Sequence, residues 1–106
     1  MARHTAELQI NTLPNQIAAW FHGQAAFAVS PDGSVTGVSW GTGKPMLEQM
    51  QAVVHGYIEP LPCRISRWRC FGDEEGRSKP GARVNMLATL ICGQPVVGTI
   101  IFTRYV

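Results

Sequence analysis

Leu47, Met50 and Val54 follow one another at spacings of three and four, which is one apolar stripe on a helix of 3.6 residues per turn. Met46 and Val53 widen the stripe, and Glu48, Gln49 and Gln51 fall largely on the other side. Pro45 suits a first helical turn, where its missing N–H costs nothing. Glu48 places a negative charge near the positive end of the helix dipole. Gly56 stands where a left-handed residue would close the helix. The pattern therefore predicts a helix from Pro45 to His55. Tyr57 and Ile58 then open a strand, which Pro60 and Pro62 confine to a sheet edge or an early exit.

The same reading extends along the chain. Leu8 and Ile10 share a face of a possible first strand, Ala6 to Asn11. After the Leu13-Pro14-Asn15 break, Ile17, Trp20 and Phe21 fit a short helical stripe ending at Gly23, with an extended segment as the alternative. Ala25 to Trp40 reads as a hairpin, because Pro31-Asp32-Gly33 is a strong turn signal between alternating residues. Arg64 to Phe71 is expected to be a strand, although Ile65 and Trp68 do not alternate strictly. Residues 72–81 form an exposed turn. Asn85 is a good N-cap for a short helix over Met86 to Cys92, stopped by Gly93. Val96 to Tyr105 is the most β-like run. Both its faces are partly apolar, which makes it a central strand or an interface strand. Short helices among hairpin-joined strands predict an α+β fold, a mostly antiparallel sheet packed with two or three short helices.

Composition narrows this picture. At 106 residues, 45% hydrophobic and 15% charged, the chain is expected to form one domain over residues 1–106 with a sizeable core. The net charge of +2 is too small to argue for nucleic acid by itself. No apolar run approaches the roughly 18 residues of a membrane span, and no apolar stretch follows Arg3, His4 and Glu7 as a secretory leader requires. The 3 cysteines are odd in number and irregular in spacing, as expected of reduced thiols in a cytosolic protein.

Residues Gln51 to Glu59, a helix end running into Gly56-Tyr57-Ile58-Glu59, carry a family resemblance. With them go Cys70 to Gly76, Asn85-Met86-Leu87-Ala88-Thr89 and Pro95 to Ile100. In this order and spacing, the block from Leu47 to Phe102 resembles a family of small phage- and plasmid-borne domains of unknown function. Residues 45–105 are the family-like core, and residues 1–40 look unlike the usual leading strand. The resemblance implies a mobile-element setting and brings no reaction with it.

Three constellations could carry chemistry. Gly41, Thr42, Gly43 and Lys44 form a glycine-rich loop before a helix, a geometry that can cradle an anion or nucleotide. Gly37 is one position too early for a P-loop and Pro45 replaces its Ser/Thr, so an ATPase is disfavoured. A tight strand-to-helix turn is the alternative. Arg64, Arg67, Trp68, Arg69 and Phe71, with Arg77, Lys79 and Arg83 beyond, interleave cations and aromatics as nucleotide, single-strand or protein contacts do. Asp73, Glu74 and Glu75 oppose phosphate there, and a solvated strand face is the structural alternative. Cys63, Cys70, Cys92 and His55 lack the close pairs of a structural zinc site, so buried thiols are expected. His4, His22 and His55 are scattered, and Glu59 has no second carboxylate at a convincing spacing.

No nucleophile, acid–base pair, metal site or cofactor motif assembles. The expectation is a non-enzymatic, cytosolic mobile-element accessory protein that binds and blocks a host protein, in the manner of a counter-defence inhibitor. Trp20, Phe21, Trp40 and Trp68 would be its anchors if exposed. The alternatives are a nucleotide-binding sponge and a nucleic-acid-binding module. A homodimer could form through the 96–105 strand.

Overall fold

The computed structural model describes residues 6–104. Arg3, His4 and the Tyr105 end of the expected last strand lie outside them. Five strands form one antiparallel sheet: β1 (Ala26–Val29), β2 (Val35–Gly37), β3 (Ile58–Leu61), β4 (Trp68–Asp73) and β5 (Ile100–Arg104). Their order is β2-β1-β5-β4-β3. Three helices, α1 (Asn15–Gly23), α2 (Met46–Val54) and α3 (Met86–Cys92), complete the α+β fold among the described residues. The radius of gyration, 13.2 Å, equals that of a single compact domain of this length, about 13 Å.

The period-2 alternation of β5 sorts the layers. Ile100 and Phe102 point to one face, where they meet Phe27, Val29 and Cys70 from the sheet and Ile17, Phe21, Ala88 and Ile91 from α1 and α3. Ile101 points to the other face, where Met50 and Val54 of α2 cover it. Helices on both faces explain why β5 is apolar on both sides. Phe21 is the hub of the thicker layer, with its ring edge-on to Phe27 at 5.0 Å, Trp68 at 4.8 Å and Phe102 at 5.7 Å.

The central position of β5 overturns one expectation. It pairs with β1 on one side, Phe27 opposite Phe102, and with β4 on the other, Cys70 opposite Phe102. Both edges of this strand are paired within the chain, so it offers no open edge to the strand of a second copy. The strand is also shorter than its sequence pattern. Val96 and Val97 precede Gly98, whose φ of +76° breaks the run, and the Val96 carbonyl accepts the Asn85 N–H instead of joining the sheet.

Other boundaries moved for local reasons. Ala6 to Asn11 is not a strand. Leu8 donates one backbone bond to the Arg64 carbonyl, and Ile10–Thr12 close a 3-10 turn with the Thr12 hydroxyl on the Gln9 carbonyl at 2.7 Å. Residues 64–67 are a loop, with Arg67 in the left-handed region (φ 70°) and the Trp68 N–H on the Ile65 carbonyl. That turn is why Ile65 and Trp68 both point inward at a spacing of three. The α2 helix is closed by His55 (φ 61°, ψ 41°) and not by Gly56.

The expected N-cap is present. Asn85 is buried, and its side-chain oxygen accepts the Ala88 N–H at 3.1 Å. Its amide nitrogen donates to the carbonyls of Val29 and Gly98, both at 2.9 Å. One side chain thus ties α3, β1 and the approach to β5 together. Pro60 lies in β3, one of the two edge strands, the position in a sheet where proline is tolerated.

Candidate functional site

The glycine loop before α2 is held from within. Gln49, one turn into the helix, reaches back so that its Oε1 accepts the Gly41 N–H at 2.6 Å. Its Nε2 donates to the carbonyls of Gly41 and Lys44, both at 2.9 Å. The Gly41 amide that an anion would need is therefore engaged, and Thr42, Gly43 and Lys44 stand in solvent. Lys44 lines a shallow hollow of about 500 Å³ together with Trp40 and Glu48. The carboxylate of Glu48 in that hollow opposes phosphate.

The basic-aromatic run does not form one face. Trp68 is only 4% exposed, with its ring in the Phe21–Phe27 aromatic cluster and the Arg104 guanidinium 5.1 Å from its centroid. Phe71 is half-buried on the opposite side of the sheet, beneath α2. Arg64 is structural: its Nε donates to the Ala6 carbonyl at 2.9 Å and its Nη1 to the Leu90 carbonyl at 3.2 Å. Arg67 and Arg69 are exposed, and Arg69 makes contacts of its own. Arg77 holds the Pro95 carbonyl at 2.7 Å. Of the aromatic anchors, Phe21 and Trp68 belong to the core, and Trp20 and Trp40 are half-buried.

A second polar centre joins α2 to the turn after β4. The Lys79 ammonium pairs with Asp73 Oδ2 and donates to the His55 carbonyl at 2.8 Å. The other Asp73 oxygen accepts the Glu75 N–H at 3.0 Å. Burial raises the Asp73 pKa, but the hydrogen bonds from Lys79 and Glu75 and the Lys79 charge outweigh it and hold the carboxyl below its ordinary range. Gly56 packs directly on this pair. A Cβ there would come within 2.8 Å of Asp73 Oδ1 and 2.9 Å of Lys79 Nζ.

The thiols separated in sequence are gathered in space. Cys70, on β4, and Cys92, on α3, are buried in one cluster, and Cys63 packs against it. All three are free. No group of three or more His, Cys, Asp or Glu among the described residues is arranged to hold a metal ion.

Sequence reasoning missed the outer face of α3. Met86 is 72% exposed and Leu90, one turn later, 44%. Val84 just before the helix is exposed as well. Ala88, Ile91 and Cys92 are the buried residues of this helix. The available signal was that α3 is apolar all round, which requires either complete burial or a second contact.

No protein-family model, curated protein or solved structure matches this chain. No helix among the described residues is long and apolar enough to cross a membrane.

Proposed function

We propose that this chain is a non-enzymatic protein-binding domain whose partner docks on the outer face of α3. The carrying observation is the exposed apolar set Val84, Met86 and Leu90, presented on a helix whose opposite side is anchored in the core. Met is well suited to such a face because its flexible, polarizable side chain adapts to a partner surface, and monomeric proteins rarely leave contiguous apolar surface uncovered. The resemblance of residues 47–102 to phage- and plasmid-borne domains supplies the setting. In this reading the protein is a mobile-element accessory, acts in the host cytosol, and blocks a host protein in the manner of a counter-defence inhibitor. Against the nucleotide and nucleic-acid alternatives weigh the engagement of the Gly41 amide by Gln49 and the use of Arg64 and Arg77 to bond backbone carbonyls.

The test is affinity capture from host lysate with the native chain and with a Met86→Glu/Leu90→Glu variant, both with matched circular dichroism and melting. A partner retained by the native chain should be lost at least about tenfold in the variant, as expected when central apolar contacts of an interface are replaced by charge. Equal capture by both proteins overturns this docking face.

A further inference from the structure

Cys63, Cys70 and Cys92 span the end of the β3 edge, the middle of β4 and the last turn of α3. Leu61 is the last residue of β3 and pairs with Cys70, and Cys63, two residues further on, packs against the buried cluster that holds Cys70 and Cys92. Beyond Leu61 the β4 strand continues to Trp68 without a β3 partner. This leaves a notch of about 440 Å³ at the sheet edge. Cys63 and Cys70 both line it, together with Leu61 and Phe71. Cys63 is half-buried, while Cys70 and Cys92 are buried. The Cys63 thiol also reaches the Ile65 carbonyl at 3.7 Å.

We propose that Cys63 and Cys70 form a redox-active thiol pair, a modification site at which a small hydroperoxide entering the notch is reduced and the two sulfurs close into an intramolecular disulfide. The two thiols differ in the way such a pair needs. The hydrogen bond from Cys70 draws the Cys63 thiol below its ordinary pKa, against the effect of burial, and the Ile65 backbone adds to this. Burial, followed by its two thiol neighbours, pushes Cys70 up. The more accessible sulfur is therefore the one whose pKa is lowered, and lowering favours the thiolate, the nucleophilic form.

In the first step the Cys63 thiolate attacks the distal oxygen of the hydroperoxide. An S–O bond forms, the O–O bond breaks, and the alkoxide or hydroxide that leaves takes a proton from water. Cys63 is thereby oxidised by two electrons to the sulfenic acid. In the second step the Cys70 sulfur attacks the Cys63 sulfur. The S–O bond breaks, the Cys70 proton leaves with the hydroxyl group as water, and the disulfide forms. Cys92 touches Cys70 from the core side and has no part in this sequence. A Cys70–Cys92 bond is the competing outcome.

The experiment uses the full, reduced chain with hydrogen peroxide as the probe, followed by alkylation, trypsin and mass spectrometry. Arg64, Arg67, Arg69 and Arg83 let trypsin place the three cysteines on three separate peptides. The expected product is the Cys63 peptide joined to the Cys70 peptide, lighter than the two reduced peptides by two hydrogens, with Cys92 still alkylated. Cys92→Ser should preserve this link. Cys70→Ser should leave a sulfenic acid at Cys63 that dimedone traps, and Cys63→Ser, at the half-exposed position, should abolish the reaction. Three thiols still alkylated after peroxide, a Cys70–Cys92 link, or chains joined only to one another would each overturn the proposal. The native-chain peptide map decides the matter even if a variant fails to fold.

Discussion

Gly56 shows how a residue can hold its place for a reason other than its backbone freedom. Its φ is not in the left-handed region; what it supplies is the absence of a side chain against Asp73 and Lys79. This makes the ion pair testable through acid. The folded Asp73 carboxyl is held below its ordinary pKa of about 3.8, so the unfolded chain takes up the proton first as pH falls. The stability contributed by the pair is therefore fully present above the ordinary carboxylate range. It is lost as pH drops through that range toward the depressed folded value. Asp73→Asn should remove this acid-sensitive component, flattening the fall of melting temperature between about pH 5 and pH 2. Gly56→Ala should do the same by pushing the two partners apart, with an overpacking cost of about 1–3 kcal/mol at neutral pH. If Gly56→Ala melts like the native chain across this range, the close approach does not matter energetically. The glycine itself was plain in the sequence. Its purpose was not, because Asp73 and Lys79 lie 17 and 23 residues further on and reach it only through the β3–β4 pairing.

At the scale of elements, the signals that were legible are the ones that act within a few residues. Asn85 caps α3 three residues ahead of its target, the Pro31-Asp32-Gly33 turn closes the β1–β2 hairpin, and Met50 and Val54 of the expected stripe are the buried residues of α2, whereas Met46 and Leu47 are exposed. What could not be read was the choice among faces. Trp68 and Arg69 alternate as neighbours on a strand must, so the tryptophan went to the core and the arginine to solvent; a run of cations and aromatics conceals that separation. The end of α2 is a further case. His55 adopts a left-handed conformation that costs an L-residue with a side chain about 1–2 kcal/mol, while a glycine stands one position later. His55→Gly should relieve this strain and, after allowance for the greater freedom of glycine in the unfolded chain, raise stability by about 0.5–1 kcal/mol. The Lys79 bond is to the His55 backbone carbonyl and survives the change. Chemical denaturation measures the difference directly, and a loss of stability would mean that the imidazole itself contributes to the turn.

For the whole molecule, the decisive feature is the asymmetry of the two layers about β5. The face covered by α1 and α3 holds fourteen buried residues in one cluster, from Leu13 to Phe102. The cluster beneath α2 holds three, Met50, Val54 and Ile101, beside the small buried side chains of Ala26 and Ala28. Since the stabilisation from burial scales with the apolar area removed from water, α2 is attached far more weakly than the opposite layer. Its other ties are the Gln49 bracket, which lies within its own lead-in loop, and the Lys79 bond at its end. A helix so attached should detach without the sheet coming apart, since α1, α3 and all four strand pairings can persist without it. Native-state hydrogen exchange tests this amide by amide. The backbone N–H groups of Met50 to Val54 should open at a lower free energy than those of Ile100 to Thr103, with α2 amides depending only weakly on low denaturant and β5 amides following global unfolding. Equal opening free energies in α2 and β5 would make the domain one cooperative unit and exclude a separately opening layer. The α3 docking face would stay intact through such an opening, because its buried side belongs to the larger cluster. Cys70 is buried in that same cluster and Cys63 packs against it.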